Sequence, residues 1–532
     1  MGEKDKIMIV GGGISGLTAA SLLAKKGYDV VLIEKNETCG GLVNSFDIDG
    51  FTFDGGIRAV ENAGMILPML EELEIDLPML PSRVSLGIED NIMHAISEDS
   101  INDYEALLKQ TYPESPEDVE KVTKVIKDFN EYMKVLFGDE SPFYKDKKRH
   151  KRYYFTTFFS WFLKFIKTGI AVTQMKLPVE DFLHDLIDNE PLFDIISQHF
   201  FKKTPAFFAM SYFSLYTDYY YPKGGVGQLP RQIGQKFREA GGTLLLNTDI
   251  SQIDIKGRRV IDTLGTSYPF RKLIWCADMK SFYRSVNIED TPSKYRNAVE
   301  KDRSRILSAK GAESVFTIFL GVDEAPEFFQ KISHGHFFYT PSRKGLGRVH
   351  REDYASLMRQ WNSENKADVL SWLKRLCELN TFEISIPVLN DQDTAPEGKT
   401  GLIISFLMDY ELPLKIQEDG WYEQFKIYIE ETVIDLLDRT IYPGFKNNIT
   451  YRQSSSPLTV EQLVGSSEGA IVGWSFESEI PIDASMLNMK KSVLTPFPDI
   501  YRAGQWTASP AGLPTCIMTA KMAADRVMKD LQ

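Results

Sequence analysis

Cysteine is scarce. Its four copies, Cys39, Cys276, Cys377 and Cys516, are scattered over 532 residues, and no two form a Cys-x-x-Cys pair. That spacing argues against a redox dithiol or a zinc knuckle and fits reduced, buried thiols in a cytoplasmic protein. Histidine is equally thin: seven residues, dispersed, with no His-Glu-x-x-His run and no Ser/His/acid triad in view. The one close pair, His334-Gly335-His336, has no Cys or acid ligand set beside it. It reads as a loop or strand pair at the surface, and no metal is expected. Basic charge is also short, since 61 Lys and Arg against 74 Asp and Glu leave a net charge of -13. A general nucleic-acid binder needs a basic face, so nucleic acid is not an expected partner. No stretch approaches 18 uninterrupted apolar residues, so no helix is expected to span a bilayer. The opening MGEKDKIMIVGGG runs straight into a strand, with no room for a signal peptide. Lys6 stands where N-myristoylation of Gly2 wants Ser or Thr.

What is present begins at the first strand. Residues Ile7 to Val10 are a short apolar run, followed by Gly11-Gly12-Gly13-Ile14-Ser15-Gly16 and a helical stretch ended by Gly27. Asp29 to Ile33 then reads as a second strand, closed by Glu34. The arrangement is that of a dinucleotide-binding βαβ unit. Gly11 permits the tight turn, Gly13 lets backbone approach a pyrophosphate, and Gly16 allows close packing of helix on strand. The helix N-terminus presents free N–H groups and a positive dipole end to phosphate. Glu34 is placed to accept hydrogen bonds from ribose hydroxyls, which disfavours a 2′-phosphate and hence NADP. A lone Gly-x-Gly-x-x-Gly is weak evidence, but here strand, glycines, helix, strand and acid arrive in order within about 30 residues.

The following segment separates FAD from NAD. Cys39-Gly40-Gly41-Leu42-Val43 and then GFTFDGGIRAV, from Gly50 to Val60, resemble the phytoene desaturase, carotenoid isomerase and retinol saturase family of FAD proteins. The resemblance recurs in YPKGGVG from Tyr221 and in PVLNDQDTAPEG from Pro387. It recurs again in SSPLTVEQLVGSSEGAIVGW and in DIYRAGQWTASPAGLPTCIMTAKMAADRVM near the end, so it is collinear over almost the whole chain. Two departures stand out. Leu42 occupies a position where the family usually has Arg, and Gln505 replaces the Asp of a Gly-Asp pair, which makes its ribityl contact neutral.

The resemblance implies an α/β fold with a Rossmann-type, glutathione-reductase-like FAD domain and an inserted α+β substrate domain. The FAD domain is expected to be discontinuous, over residues 1–85, 215–290 and 455–532, with the substrate domain at 86–214 and 291–454. FAD contacts are expected from Gly11, Gly13, Ile14, Ser15, Gly16, Glu34, Lys35, Gly41, Leu42, Ile250, Gly504, Gln505, Leu513 and Pro514. The C-terminal helix, starting at Gly512-Leu513-Pro514, is expected to place its N-terminus beside the flavin, where its dipole favours negative charge on the reduced ring. Arg58, the candidate catalytic residue, falls just after the segment expected at the ring edge, as a ligand for a carboxylate head group or for reduced flavin, or else in a structural salt bridge. Tyr219, Tyr220 and Tyr221 are candidate tunnel or sheet residues.

No second Gly-x-Gly-x-x-Gly follows a strand, so no dedicated nicotinamide domain is expected, and the electron partner is oxygen, a quinone or a separate reductant. ESVFTIFLGV and TGLIISFLMDY read as sheet strands and residues 421–438 as a helix. One further segment stands apart. KDKKRHKR at 145–152 precedes YYFTTFFSWFLKFIKTGIAV, with eight aromatics in residues 153–165. On a helical wheel Phe155, Phe158, Phe159, Trp161, Phe162, Leu163, Phe165 and Ile166 share one broad face, which suits an interfacial helix docked on anionic lipid through 145–175. The expected activity is desaturation, saturation or isomerisation at carbon–carbon double bonds of a lipophilic polyene, retinoid or unsaturated lipid. The alternatives are a non-catalytic lipid or prenyl carrier, such as the Rab-escort family that resembles this fold, and a flavin amine oxidase-like enzyme. The expected location is cytoplasmic, with a peripheral membrane contact.

Overall fold

The runs Ile7–Val10, Val30–Ile33 and Lys272–Trp275 are buried along their whole length. Strands apolar on both faces belong in the middle of a parallel sheet covered on each side. The computed structural model, which describes residues 6–137, 151–173, 177–362, 366–482, 489–509 and 511–532, places them there. The first sheet has five parallel strands in the order Thr243–Leu245, Val30–Ile33, Ile7–Val10, Lys272–Trp275, Ile500–Arg502. Ile9 and Leu32 point to one side, where helices Ile14–Lys25, Gln228–Glu239 and Leu513–Leu531 pack through Leu17, Ile233, Ala520 and Ala524. Met8, Val31, Leu273 and Trp275 point to the other, against an antiparallel meander of Ile250–Asp254, Arg259–Asp262 and Ser267–Pro269. The α/β dinucleotide layer expected from the sequence is therefore formed, and its central strand leads directly into the glycine turn.

A second sheet of seven strands stands beside it. Its order is Ile449–Ser455, Ser314–Val322, Thr400–Met408, Phe382–Ser385, His336–Thr340, Val84–Ile88, Asn91–Ala95. All neighbours are antiparallel except His336–Thr340 with Val84–Ile88. The period of two along these strands sorts the side chains. Phe316, Ile318, Phe337, Ile384, Leu402 and Ile404 share a core with helices Lys366–Leu379 and Tyr422–Thr440. The alternate residues Val315, Thr317, Phe338, Glu383, Ser405 and Leu407 face the opposite way, and all but Thr317 line a large internal cavity.

The hairpin Ser45–Ile48/Phe51–Asp54 fastens the two sheets together. Phe51 and Phe53 are buried against Phe319 and Ile403. Phe51 lies so close to Gly321 that a Cβ there would be 2.7 Å from its ring. A third core, of helices Ser100–Thr111, Pro116–Phe137, Val179–Leu186, Glu190–Ser197 and Ala206–Leu215, covers Val84 and Leu86. Among the described residues no helix is long and apolar enough to cross a membrane.

The aromatic segment forms two helices, Lys151–Thr156 and Phe158–Thr173. Its basic prelude at 145–150 lies outside the described residues. The single broad apolar face expected for it is divided. Trp161 is buried, donates its Nε1–H to the Val135 carbonyl at 2.7 Å, and stacks with Phe158 and Phe165. Phe159, Phe162, Leu163 and Ile166 are exposed. At spacings of three and four these four residues make one stripe along the helix.

Candidate functional site

Gly11 follows the central strand with φ +102°, and a Cβ on it would lie 2.9 Å from backbone atoms of Cys276 and Ala277. Conformation and space both demand glycine there. A Cβ on Gly16 would come within 1.9 Å of the Gly11 carbonyl oxygen, so helix Ile14–Lys25 packs on the turn only because that atom is missing. Gly13 differs. Its φ of -67° suits any residue and a Cβ would meet nothing within 4 Å, so what it preserves is open space. Helix Ile14–Lys25 starts at that space with no side-chain cap and no acid in its first turn. Its leading N–H groups and positive dipole end are thus available to an anion.

Glu34 ends the neighbouring strand and is buried. Its Oε2 accepts the Gly12 N–H at 2.6 Å and its Oε1 the Asn36 N–H at 2.9 Å. Burial raises the pKa of this carboxyl, with the two amides pulling the other way. Two backbone donors fix its direction, as an acceptor for ribose hydroxyls requires. The far end is built alike. Gly504, at φ +103°, follows the edge strand Ile500–Arg502 and donates its N–H to Thr519 Oγ1 at 3.0 Å. Helix Leu513–Leu531 starts at Gly512, again without side-chain cap or first-turn acid.

One cavity of about 620 Å³ connects these features. Of the residues expected to touch cofactor, it is lined by Gly11, Gly13, Ile14, Ser15, Glu34, Lys35, Gly41, Leu42, Ile250, Gly504, Gln505 and Leu513, with Arg58 beyond them. Gly16 and Pro514 are not on its wall: the first serves helix packing and the second the opening turn of the C-terminal helix. The Gln505 amide is engaged with protein, donating to Ser466 Oγ at 3.1 Å and the Ala470 carbonyl at 3.3 Å. That ties it to a further wall, Val460, Val464 to Ser466, Ile471 and Val472. Asn36 reaches the same wall, donating to the Leu463 carbonyl at 3.0 Å.

These features fit FAD. Two uncapped helix N-termini suit pyrophosphate and the electron-rich edge of a flavin, Glu34 suits the ribose, and the void at Gly13 admits the phosphates. When bound, FAD supplies the hydride chemistry.

Beyond the nucleotide crevice the cavity reaches the second sheet. Arg58 is buried, and its Nη1 donates to the carbonyls of Asp54 and Gly56. Its Nη2 donates to Thr317 Oγ1 at 3.1 Å and Ser405 Oγ at 2.8 Å. Carbonyls and hydroxyls hold it, not a salt bridge, and desolvation lowers its pKa. Asp54 accepts from Ser45 Oγ, the Val226 N–H and Tyr221 OH, and burial pushes its carboxyl up to about 6. Tyr221 is thereby a structural residue, whereas Tyr219 lines the cavity.

Thr317 and Ser405 sit opposite one another across two strands, and Ser405 sits opposite Glu383. They form a polar rung across an otherwise apolar sheet. Beside it are His336, whose Nε2 is 3.1 Å from Glu383 Oε1, and Glu61, which accepts from Tyr219 OH at 3.0 Å and Tyr212 OH at 3.1 Å. His336 is therefore not at the surface; it is buried within the sheet. Among the described residues no group of three or more His, Cys, Asp or Glu is arranged to hold a metal ion. Glu61, His336 and Glu383 escaped the sequence reading because an alternating polar residue in a strand normally marks a solvent face. Here that face borders a cavity.

Comparison with known proteins agrees with this geometry. The chain is 23% identical over 550 aligned residues to a 4,4'-diapophytoene desaturase (4,4'-diaponeurosporene-forming) of Staphylococcus aureus (strain COL), covering 99% of each. A solved oxidoreductase from Methanosarcina mazei superposes with TM-score 0.63 at 14% identity, over 98% of this chain and 100% of that one. Cyclohexylamine oxidase from Brevibacterium oxydans superposes with TM-score 0.61 at 13% identity, over 99% of both. At those identities the structures speak to the fold alone. The flavin containing amine oxidoreductase family matches residues 14–528. With that match running from the start of the first helix over Glu34 and the second helix N-terminus, the chain belongs to the flavin containing amine oxidoreductases and is an FAD-dependent enzyme.

Proposed function

We propose that the protein uses FAD to remove or add hydrogen at carbon–carbon double bonds of a lipophilic polyene, retinoid or unsaturated lipid. The observation that carries this reading is the wall of the cavity past Arg58. Phe200, Phe201, Phe208, Val315, Phe338 and Leu407 line it, and the space is continuous with the nucleotide crevice. An apolar chain threaded there gains burial at roughly 25 cal/mol per Å². The desaturase relative points the same way. The twelve crevice residues are the contacts we assign to cofactor, and Arg58 is the candidate catalytic residue beside them. We assign residues 1–85, 215–290 and 455–532 to the FAD domain, with 86–214 and 291–454 as the substrate domain.

Amine oxidation is the second reading. Glu61 and Glu383, two carboxylates on the cavity wall, would attract an ammonium group. One experiment separates the two. The FAD-loaded protein is mixed anaerobically with polyenes, unsaturated fatty acids or primary amines, and flavin bleaching and products are followed. Bleaching by a polyene with a two-hydrogen mass change supports the first reading; bleaching by amines alone replaces it with the second.

The exposed stripe Phe159, Phe162, Leu163 and Ile166 fits delivery of such a substrate from an anionic lipid surface, with the basic run 145–152 adjoining it in sequence. Phe159→Asp/Leu163→Asp is expected to abolish flotation with anionic vesicles while leaving thermal stability unchanged. Equal flotation of variant and wild type excludes the contact. Phe158 and Trp161 are unsuitable for this test because they pack inward.

A further inference from the structure

We propose that His336 is the proton-exchanging catalytic residue of this site, with Glu383 as the positioning residue that holds its ring; the proposal rests on the carbon–carbon reading above.

A hydrocarbon chain needs no polar partner, and burying polar groups beside it costs free energy unless they are paired or used. Yet His336 is only 3% exposed, lines the cavity, and neither of its ring nitrogens has a hydrogen bond of good geometry. Its Nε2 stands 3.1 Å from Glu383 Oε1. A carboxylate there favours the tautomer with the proton on Nε2, which leaves the Nδ1 lone pair as the base. The backbone fixes the pair. His336 and Phe338 project from one side of their strand, and Phe338 lies opposite Glu383 in the ladder. The Phe338 and Tyr219 rings lie 5.0 and 5.3 Å from the imidazole. The charged and titratable groups around it are Glu383 on its own sheet, Arg58 and Glu61 from the segment after the hairpin, and Tyr219 and Tyr212 beyond Glu61. Arg58 carries an unpartnered Nε and anchors the rung that ends at Glu383.

Two hydrogens leave the substrate in a desaturation. One would leave as hydride with its C–H electron pair, which FAD, when bound and oxidised, would accept. The other departs from the adjacent carbon as a proton to His336 Nδ1, and its C–H electron pair becomes the new π bond. In saturation both transfers reverse: the imidazolium gives its proton to carbon, and FAD, when bound and reduced, would supply the hydride.

The test uses FAD-loaded protein with isotope-labelled histidine. Nitrogen-15 resonances should place the His336 ring proton on Nε2, and Glu383→Gln should shift it toward Nδ1. In stopped flow, His336→Gln should slow flavin reduction by a polyene about 10²- to 10⁴-fold, the usual contribution of general acid–base catalysis. The Kd for the polyene should stay within about threefold of wild type. His336→Asn is the second variant, in case Gln perturbs packing. Wild-type reduction rates in either variant, or a His336 ring proton whose position is unchanged by Glu383→Gln, overturn the assignment. If wild type itself fails to react with any polyene, the proposed function falls, while the position of the His336 ring proton still reports on the pair separately.

Discussion

Alanine at position 13 tests the nucleotide site without disturbing the fold. Gly13 has φ -67° and ψ 178°, which alanine adopts freely, and its Cβ would have no protein atom within 4 Å. The unfolded chain also loses some freedom on gaining a side chain, so Gly13→Ala should leave stability unchanged or raise it by up to about 1 kcal/mol. The new methyl instead occupies the space assigned to pyrophosphate. Forcing an extra methyl into a packed contact costs about 1–3 kcal/mol, which corresponds to FAD binding about 5- to 150-fold weaker. Gly16→Ala is the opposite case. Its Cβ would lie 1.9 Å from the Gly11 carbonyl oxygen, so the helix must shift and the protein should lose about 1–3 kcal/mol even without FAD. Flavin-fluorescence titration of stripped protein measures the first effect, and thermal unfolding followed by circular dichroism measures the second. Gly13→Ala protein that binds FAD as tightly as wild type would refute the placement of the phosphates.

Two further outcomes are expected. The Asp54 carboxyl, raised from 3.8 to about 6 by burial, binds its proton more tightly in the folded state, so its contribution to stability is greatest at pH below both values and declines as pH rises through about 6. Relative to Asp54→Asn, wild type should therefore lose about 3 kcal/mol between the two limits, at 1.36 kcal/mol per unit; parallel pH profiles in chemical denaturation contradict this. Glu34→Gln keeps the shape but gives up charge-assisted acceptance from ribose, so FAD affinity should fall about 13- to 150-fold, the equivalent of the ~1.5–3 kcal/mol of a hydrogen bond to a charged group; an unchanged Kd by titration contradicts it.

What the sequence disclosed depends on how local the physical demand is. Gly11 and Gly16 are required by backbone close to them in space, and Glu34 by its place at a strand end, so spacing alone marks them. The run Ile7–Val10 announces a central strand because no solvent-facing strand tolerates four apolar residues in succession. The segment 460–472 was legible as FAD domain through the resemblance, but its contact with Asn36 was not, since the two meet across 427 residues of chain. Glu61, Glu383 and His336 were hidden by alternation, which cannot distinguish a strand face on water from one on an internal cavity. In helix Phe158–Thr173 the wheel shows apolar character all round one side, but only the hydrogen bond from Trp161 to Val135 shows which half is packed.

The most direct measurement is an experimental structure of the FAD-loaded protein. The account predicts pyrophosphate density at the amides of Ile14 and Ser15, the adenosine ribose on Glu34, and the flavin between Gly504 and Leu513 with one face toward the rung that ends at Glu383. Dinucleotide density elsewhere, or side chains filling the space at Gly13, would contradict it.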